Sequence, residues 1–137
     1  GIISAPGDRS DEMIRASAKA AAVGFDRIII REDLDLRGRK PGETAHLLCD
    51  TIHQIDPKKS CETHLGENAA LYAAISTIQK REVIFFFYDD LDRIRFRLLE
   101  LGAVPVTDPA EFSLLGSSPA GMTNSSAESA ATVREVG

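Results

Sequence analysis

The chain has 137 residues, enough for one domain with an ordinary hydrophobic core. Hydrophobic residues make up 43% and charged residues 27%, proportions that exclude a disordered or fibrous chain. The formal charge of −5 argues against a general nucleic-acid coat, and no apolar run reaches the roughly 20 residues that span a membrane. These features predict a soluble cytoplasmic domain with no membrane or nucleic-acid partner.

The first half of the chain alternates apolar runs with amphipathic segments. Short runs of β-branched or apolar residues predict strands over residues 2–5, 25–31 and, more weakly, 60–65. Helical periodicity predicts a helix over residues 10–23 whose inner face carries Ile14, Ala18 and Ala21. It also predicts a helix over residues 42–55 whose inner face carries Leu48, Ile52 and Ile55. Asp8 or Ser10 is suited to cap the first helix, and Pro41 suits the start of the second.

The second half continues the alternation up to residue 106. A helix is predicted over residues 67–80, and the Phe85-Phe86-Phe87 run predicts a core strand over residues 82–88. Asp89 or Asp90 would cap a helix that ends at Leu101 and is buried through Leu91, Ile94, Leu98 and Leu101. Residues 103–106 would form an edge strand. Residues 108–137 are rich in Ser, Ala and Gly, which predicts a mobile tail.

The order of these elements predicts an α/β fold: a three-layer, open, mainly parallel sheet with helices on both faces, over residues 1–107. Ligands of such sheets bind beyond the carboxyl ends of the strands. The loops expected at that edge are residues 4–9, 31–40, 65–67 and 88–90. They are where we expect a functional site.

The first candidate site is the turn Pro6-Gly7-Asp8-Arg9. Gly7 permits a tight turn, and the helix N-terminus behind it presents unpaired N–H groups to an anion. Arg9 would bind a carboxylate or phosphate through two parallel N–H donors of its guanidinium. Asp8 would accept a hydrogen bond from a hydroxyl or amino group. On spacing alone, an ordinary strand-to-helix turn with a capping Asp and a solvated Arg explains the same residues.

The second candidate site is a charged segment after the predicted second strand. Bases and acids alternate within ten residues, as a site for a zwitterionic or basic amino acid requires. A solvated loop with internal ion pairs is the competing interpretation. Gly38 permits a turn with a positive φ angle. The candidate residues are Arg31, Glu32, Asp33, Asp35, Arg37, Gly38 and Arg39.

A third candidate lies on the predicted second helix. His46, Cys49, Asp50 and His53 are residue types that bind zinc, but they fall opposite the apolar face formed by residues such as Leu48. We therefore expect a solvated polar face. The pair Asp89-Asp90 suits a metal or phosphoryl group, although a helix cap explains it as well.

Known catalytic motifs are missing from the sequence. There is no GxxxxGK[ST] loop to cradle a triphosphate, no GxGxxG fingerprint and no GxSxG nucleophile elbow. The chain alone is therefore not expected to turn over ATP.

Several segments taken together resemble a known family. The segment at residues 3–9 (ISAPGDR), followed by Asp11-Glu12, FDRIIIRED at residues 25–33, DLRGR at residues 35–39 and Gly42-Glu43, is similar to the C-terminal, Rossmann-like domain of the cyanophycin synthetases, which belong to the Mur ligase family. The resemblance covers residues 1–106 and is densest in residues 1–55.

The resemblance implies an ATP-dependent amide ligase. Such enzymes form an acyl-phosphate that an amine attacks, and a central domain carries the P-loop and most contacts to ATP and Mg²⁺. The C-terminal domain closes over that site and holds the incoming amino acid, here arginine. By position, the resemblance assigns amino-acid and nucleotide contacts to Arg9 and to the segment from Arg31 to Arg39.

Two departures from the peptidoglycan ligases of the same family favour the cyanophycin synthetases. Glu32-Asp33 and Arg37-Gly38-Arg39 replace an Asp-Asn-Pro-Arg motif, and Tyr88-Asp89-Asp90 replaces a Gly-Lys-Gly-His-Glu loop. The expected partners are a preceding ATP-binding ligase domain of the same chain and an amino-acid substrate. A homo-oligomer of the intact enzyme is compatible with this interpretation.

Because the chain begins at Gly1 rather than Met, we expect it to be a fragment of a longer protein. A second hypothesis, from another class, is a non-catalytic binding or interaction domain that keeps the ligase fold, since fold alone does not fix function. A receiver-like domain that accepts a phosphoryl group on Asp89 or Asp90 is the weakest alternative.

Overall fold

A computed structural model describes residues 1–106 and the backbone of Thr132–Val133. The helices are α1 (Asp11–Gly24), α2 (Glu43–Ile55), α3 (Glu67–Thr77) and α4 (Leu91–Glu100), and the strands are β1 (Ile2–Ile3), β2 (Arg27–Ile30), β3 (Ser60–Thr63), β4 (Val104–Pro105) and β5 (Thr132–Val133). Apart from β5, the predicted tail lies outside the described residues.

The described residues form two compact units. The first contains Gly1–Ile78 together with Ile84–Asp89, and therefore holds β1 to β3 and α1 to α3. The second contains Gln79–Val83, α4 and a small parallel pair formed by β4 and β5. All the candidate sites except Asp90 lie in the first unit.

The sheet of the first unit is parallel, with the order β1-β2-β3. On the free side of β1, Phe86 forms an isolated parallel bridge with Ile2. The Ile2 amide donates to the Phe85 carbonyl at 2.8 Å, and the Phe87 amide donates to the Ile2 carbonyl at 3.0 Å. All four segments run the same way, so the loops that follow them meet at one edge of the sheet.

Helices cover both faces of this sheet. Ile28 and Ile30 of β2 join one buried cluster with α1 and α2, which pack closely on each other. Successive residues of a strand point to opposite faces, so Ile29 and its register partner Ile2 face the other side. There α3 contacts β1 and β2. The predicted α/β fold with a parallel, open sheet is therefore confirmed.

Two capping predictions are resolved by the structure. Ser10, rather than Asp8, caps α1 by accepting a hydrogen bond from the Met13 amide at 3.3 Å. Asp90, rather than Asp89, caps α4 by accepting from the Arg93 amide at 3.1 Å. Asp8 and Asp89 are thus left available for other contacts at the edge of the sheet.

The predicted strand over residues 82–88 is largely wrong. Its neighbour β1 is only two residues long, so pairing is limited to the bridge at Phe86. Phe85 and Phe87, expected in the core, are 48% and 55% exposed, although their rings pack against Phe25 with centroids 5.9 and 6.2 Å away. No strand among the described residues covers the outer side of this segment.

Predictions also failed at helix ends. α3 ends at Thr77, three residues before its predicted end at residue 80. Ile55 and Leu101, expected to face inward, are 44% and 38% exposed because each stands at the end of its helix, where the periodicity no longer guarantees a packing partner. Among the helices described, none is long and apolar enough to cross a membrane.

Candidate functional site

The loops after β1 and β2 are fastened to each other by Arg39. We call residues 4–10 the first loop and residues 31–42 the second loop. Arg39 Nε donates to the Gly7 carbonyl at 2.9 Å, and Nη2 donates to the Arg9 carbonyl at 2.7 Å. The guanidinium also pairs with Asp11 at 2.8 Å and Glu43 at 2.9 Å. The hydrogen bond to Asp11, together with that to Glu43, holds the pKa of Arg39 above its usual range.

Gly7 is required by the close approach of the two loops. A Cβ atom at this position would collide with the backbone carbonyl of Leu36. Gly7 is itself buried, so it supports the surface rather than presenting a group to solvent. A residue with a side chain would not fit at this position, because the second loop occupies that space.

The second loop turns sharply before Arg39. Arg37 and Gly38 both have positive φ angles, 47° and 89°, and the Arg39 amide closes the turn by donating to the Leu36 carbonyl at 3.0 Å. The Asp35 carboxylate accepts from the Arg37 amide at 3.0 Å. The positive φ expected at Gly38 is confirmed. The turn directs an exposed, mixed-charge segment towards the first loop.

The outer part of this surface is exposed and lightly paired. Arg37 Nη1 donates to Asp8 Oδ2 at 2.7 Å, and both side chains are about half exposed. The bond with Arg37 lowers the pKa of Asp8, and the same bond raises the pKa of Arg37. Arg9 is exposed, and its guanidinium makes no hydrogen bond or ion pair with any residue in 1–106. Arg9 and Arg37 can therefore meet an anion from solvent.

The inner part of the same edge is buried and closely bonded. Arg31 is only 2% exposed. Its Nε and Nη2 atoms donate to the Phe87 carbonyl at 3.2 and 2.9 Å, and Nη1 donates to Asp33 at 3.2 Å and Asp89 at 2.9 Å. The guanidinium also lies 5.8 Å from the centre of the Phe86 ring. Arg31 therefore fastens the second loop to the segment that bridges β1.

Glu32 points into the base of the second loop and is 7% exposed. Both of its carboxylate oxygens accept from the Gly42 amide, at 2.8 and 2.9 Å, and Oε1 also accepts from the Thr44 hydroxyl at 3.2 Å. Gly42 has a φ of 82° and precedes α2 without a side-chain cap of its own. Glu32 therefore supplies the negative charge that the start of α2 favours.

The structure divides the predicted site residues into two groups. Asp8, Arg9, Asp35 and Arg37 are exposed, whereas Arg31, Glu32 and Asp33 are buried or nearly so and already bonded. A ligand reaching Glu32 or Asp33 would have to exchange those bonds. Sequence reasoning missed the Arg31–Asp89 pair, although both residues follow parallel segments that end at one edge.

The polar face predicted on α2 is also divided. His46 and Asp50 are exposed, as expected. Cys49 and His53 are half-buried, so their predicted exposure is wrong. They meet Cys61 of β3, a residue that the one-helix pattern did not include, and the three ligand atoms lie within 4.8 Å of one another. The pairing of β3 with β2 brings Cys61 to this side of the sheet.

The chain is similar to curated cyanophycin synthetases. It is 37% identical over 93 residues to those of Synechocystis sp. and Crocosphaera subtropica, and 37% identical over 87 residues to that of Geminocystis herdmanii. The matches cover 68%, 68% and 64% of this chain and 11%, 11% and 10% of those proteins. No protein-family model matches. The similarity confirms the resemblance to cyanophycin synthetase, and the chain spans about a tenth of the length of these relatives.

Proposed function

We propose that this chain is the Mur-ligase-type C-terminal domain of a cytoplasmic, ATP-dependent amide ligase similar to cyanophycin synthetase. Its part in the reaction is to hold the incoming amino acid while the amine attacks an acyl-phosphate. Such a role is one of positioning and electrostatics, for which no nucleophile of the domain is needed. The similarity to the cyanophycin synthetases supports the ligase context.

The observation that carries this proposal is the guanidinium of Arg9, which has no partner among residues 1–106, on a surface built from two interlocked loops. Arg39 and Gly7 fix the backbone from which Arg9 projects. A preorganised loop loses less freedom on binding, so more of the contact energy reaches the ligand. A carboxylate or phosphate is the complement of that guanidinium because two parallel N–H donors match two oxygens.

The charges beside Arg9 suit an amino acid with a basic side chain, and we propose arginine. Arg9 and Arg37 would bind the carboxylate or a phosphate oxygen. The exposed carboxylate of Asp35 would meet the cationic side chain, and Glu32 and Asp33 could join it only by exchanging their present hydrogen bonds. Both acidic and basic groups are required, since a free amino acid carries both charges.

The residues of this chain could supply only some of the contacts that ATP and Mg²⁺ need. The sequence has no phosphate-cradling GxxxxGK[ST] loop, so we propose that a preceding domain of the same protein binds most of the nucleotide. Arg9 and Arg37 would meet phosphate oxygens from this side. Asp33 and Asp89 both pair with Arg31, which makes their carboxylates less available to Mg²⁺.

The test uses the intact protein and measures amino-acid-dependent release of ADP. We expect stimulation by arginine and a fall in kcat/KM of about 10- to 100-fold in Arg9→Ala, the range that corresponds to losing a charge-assisted hydrogen bond of roughly 1.5–3 kcal/mol. Arg9→Lys should recover only part of the activity because an ammonium lacks the fork.

Lys19→Ala is the matched control, since Lys19 is an exposed cation on α1 away from the N-terminal turn of that helix. It should leave ADP release unchanged. Equal kinetics of Arg9→Ala and the wild type would remove the role of Arg9. An intact protein that releases no ADP with any amino acid, yet binds one through Arg9, would favour the non-catalytic binding domain.

A further inference from the structure

A second cluster of chemically capable side chains lies away from the loop surface, between α2 and β3. Cys49 and His53 are four residues apart on α2 and therefore share one side of the helix. Cys61 is the second residue of β3 and pairs in register with Ile28, which faces α1 and α2. The alternation of the strand thus turns Cys61 towards the helix.

A tight turn brings these two elements together. The Lys59 amide donates to the Asp56 carbonyl at 3.0 Å, and the Lys58 amide donates to the Asp56 carboxylate at 3.0 Å. The chain consequently returns from the end of α2 to the start of β3 within a few residues. The positions of the three side chains therefore follow from the fold and not from one flexible loop.

We propose that Cys49, His53 and Cys61 form a Zn²⁺ site with three protein ligands and one position open to solvent. Cys and His are the ligands that zinc prefers, and three protein ligands with an open fourth position are a known arrangement. The proposal is independent of the ligase function.

The distances suit a tetrahedral ion. Zn–S and Zn–N bonds of about 2.3 and 2.0 Å place two tetrahedral ligand atoms roughly 3.5 Å apart. Cys49 Sγ lies 3.7 Å from His53 Nδ1, close to that spacing, and the whole set lies within 4.8 Å. Small side-chain rotations of the half-buried cysteines would shorten the remaining distances between ligand atoms to the tetrahedral spacing.

The second nitrogen of His53 gives independent support. His53 Nε2 lies 3.3 Å from the Lys59 carbonyl, which can only accept a hydrogen bond. A hydrogen bond between them puts a proton on Nε2, and in the neutral ring the lone pair of Nδ1 then faces Cys49. Metal-binding histidines characteristically donate their other ring N–H to a carbonyl or carboxylate in this way.

The charge balance also favours a divalent cation. Two thiolates and a neutral imidazole would leave a Zn²⁺ complex without net charge, which suits a half-buried position beside the core. Zinc binds cysteine as the thiolate, so binding releases the thiol protons of Cys49 and Cys61. Zinc affinity should accordingly increase with pH.

The experiment measures zinc per chain and Co²⁺ spectra on the reduced, intact protein. We expect the wild type to hold one more zinc than Cys61→Ser and to show a sulfur-to-cobalt charge-transfer band when loaded with Co²⁺. Cys61→Ser should lower zinc affinity by more than the roughly 10- to 100-fold that loss of an outer-shell partner causes. His46→Ala is the control because His46 is an exposed histidine of the same helix.

Equal zinc content in the wild type and a folded Cys61→Ser protein would overturn the proposal. The absence of a sulfur-to-cobalt band in the wild type would overturn it without any variant, which protects the test against a misfolded mutant. If both thiols were lost on air oxidation and the reduced protein held no zinc, the proposal would also fail, and Cys49 and Cys61 would be assigned to a disulfide.

Discussion

Arg31 and Arg9 stand at the same edge of the sheet, yet their surroundings differ completely. Arg31 is 2% exposed and distributes its donors over the Phe87 carbonyl, Asp33 and Asp89. Arg9 is exposed, and its guanidinium makes no hydrogen bond or ion pair with residues 1–106. The inner arginine is committed to holding loops together, and the outer one is available to a ligand.

This difference separates stability from binding along one edge. A buried charge left without its partner is costly, whereas an exposed charge is screened by water and salt. Changes to the inner group should therefore lower the free energy of unfolding. Changes to Arg9 should affect ligand binding and leave stability nearly unchanged, so the two properties can be measured as separate consequences of the same architecture.

The largest effect on stability is expected for Arg31→Ala. Removing the guanidinium leaves the Phe87 carbonyl without its two donors and leaves Asp33 without its ion pair. We expect a loss of about 3–5 kcal/mol in the free energy of unfolding, as for other broken buried pairs. Denaturant unfolding of the chain measures this loss.

Arg95→Ala provides the comparison, since Arg95 is exposed on α4 and has no partner among the described residues. It should change stability by less than about 0.5 kcal/mol. Equal stabilities of the two variants would mean that the bonds of Arg31 contribute nothing, and the distinction between inner and outer arginines would fail.

Glu32→Ala is expected to have the next largest effect. The change leaves the Gly42 amide and the Thr44 hydroxyl buried without an acceptor, which should cost about 1–3 kcal/mol. Glu32→Gln keeps one acceptor oxygen and should lose less. Denaturant midpoints of the two variants, beside Asp26→Ala as an exposed acidic control, give the ranking.

The reverse ranking, with Glu32→Gln less stable than Glu32→Ala, would show that the carboxylate is not held as an acceptor. If Glu32→Ala preserved stability but abolished arginine-dependent ADP release, the acid would act on the ligand itself. Glu32 would then belong with Arg9 rather than with Arg31.

The sequence predicted most of this architecture because its signals are local. Apolar periodicity placed Ile14, Ala18 and Ala21 on the buried face of α1, and the β-branched run Ile28–Ile30 marked β2 correctly. Turn chemistry also placed the positive φ at Gly38. Each of these features depends on residues that are neighbours in the chain.

The predictions that failed concern features that depend on contacts between residues far apart in the sequence. The Phe85-Phe86-Phe87 run has strong strand propensity, but pairing needed a longer β1. The charged segment could be assigned to the sheet edge, but only the contacts with Phe87 and Asp89 show that Arg31 is buried. Cys61 joins Cys49 and His53 through sheet register, which one helix pattern cannot reveal.

The smallest effect is expected at the pair formed by Asp8 and Arg37 on the outer surface. The bond with Arg37 lowers the pKa of Asp8 from its usual value near 3.8. Its stabilisation is therefore present above that pH and is lost as the pH falls through the lower, folded value. In Arg37→Ala, an NMR titration should show the Asp8 pKa returning upward.

An unchanged pKa of Asp8 in Arg37→Ala would contradict the pairing in solution. In the wild type, added salt should weaken the ion pair between Asp8 and Arg37. A weak pair is compatible with the proposed function. Arg37 donates to Asp8 through Nη1 alone, so an anion can use its other N–H donors or displace Asp8, and an exposed ion pair opposes that exchange only slightly. The Arg31 contacts, which are buried, would oppose a similar exchange far more strongly, so the ligand is expected to meet the outer arginines.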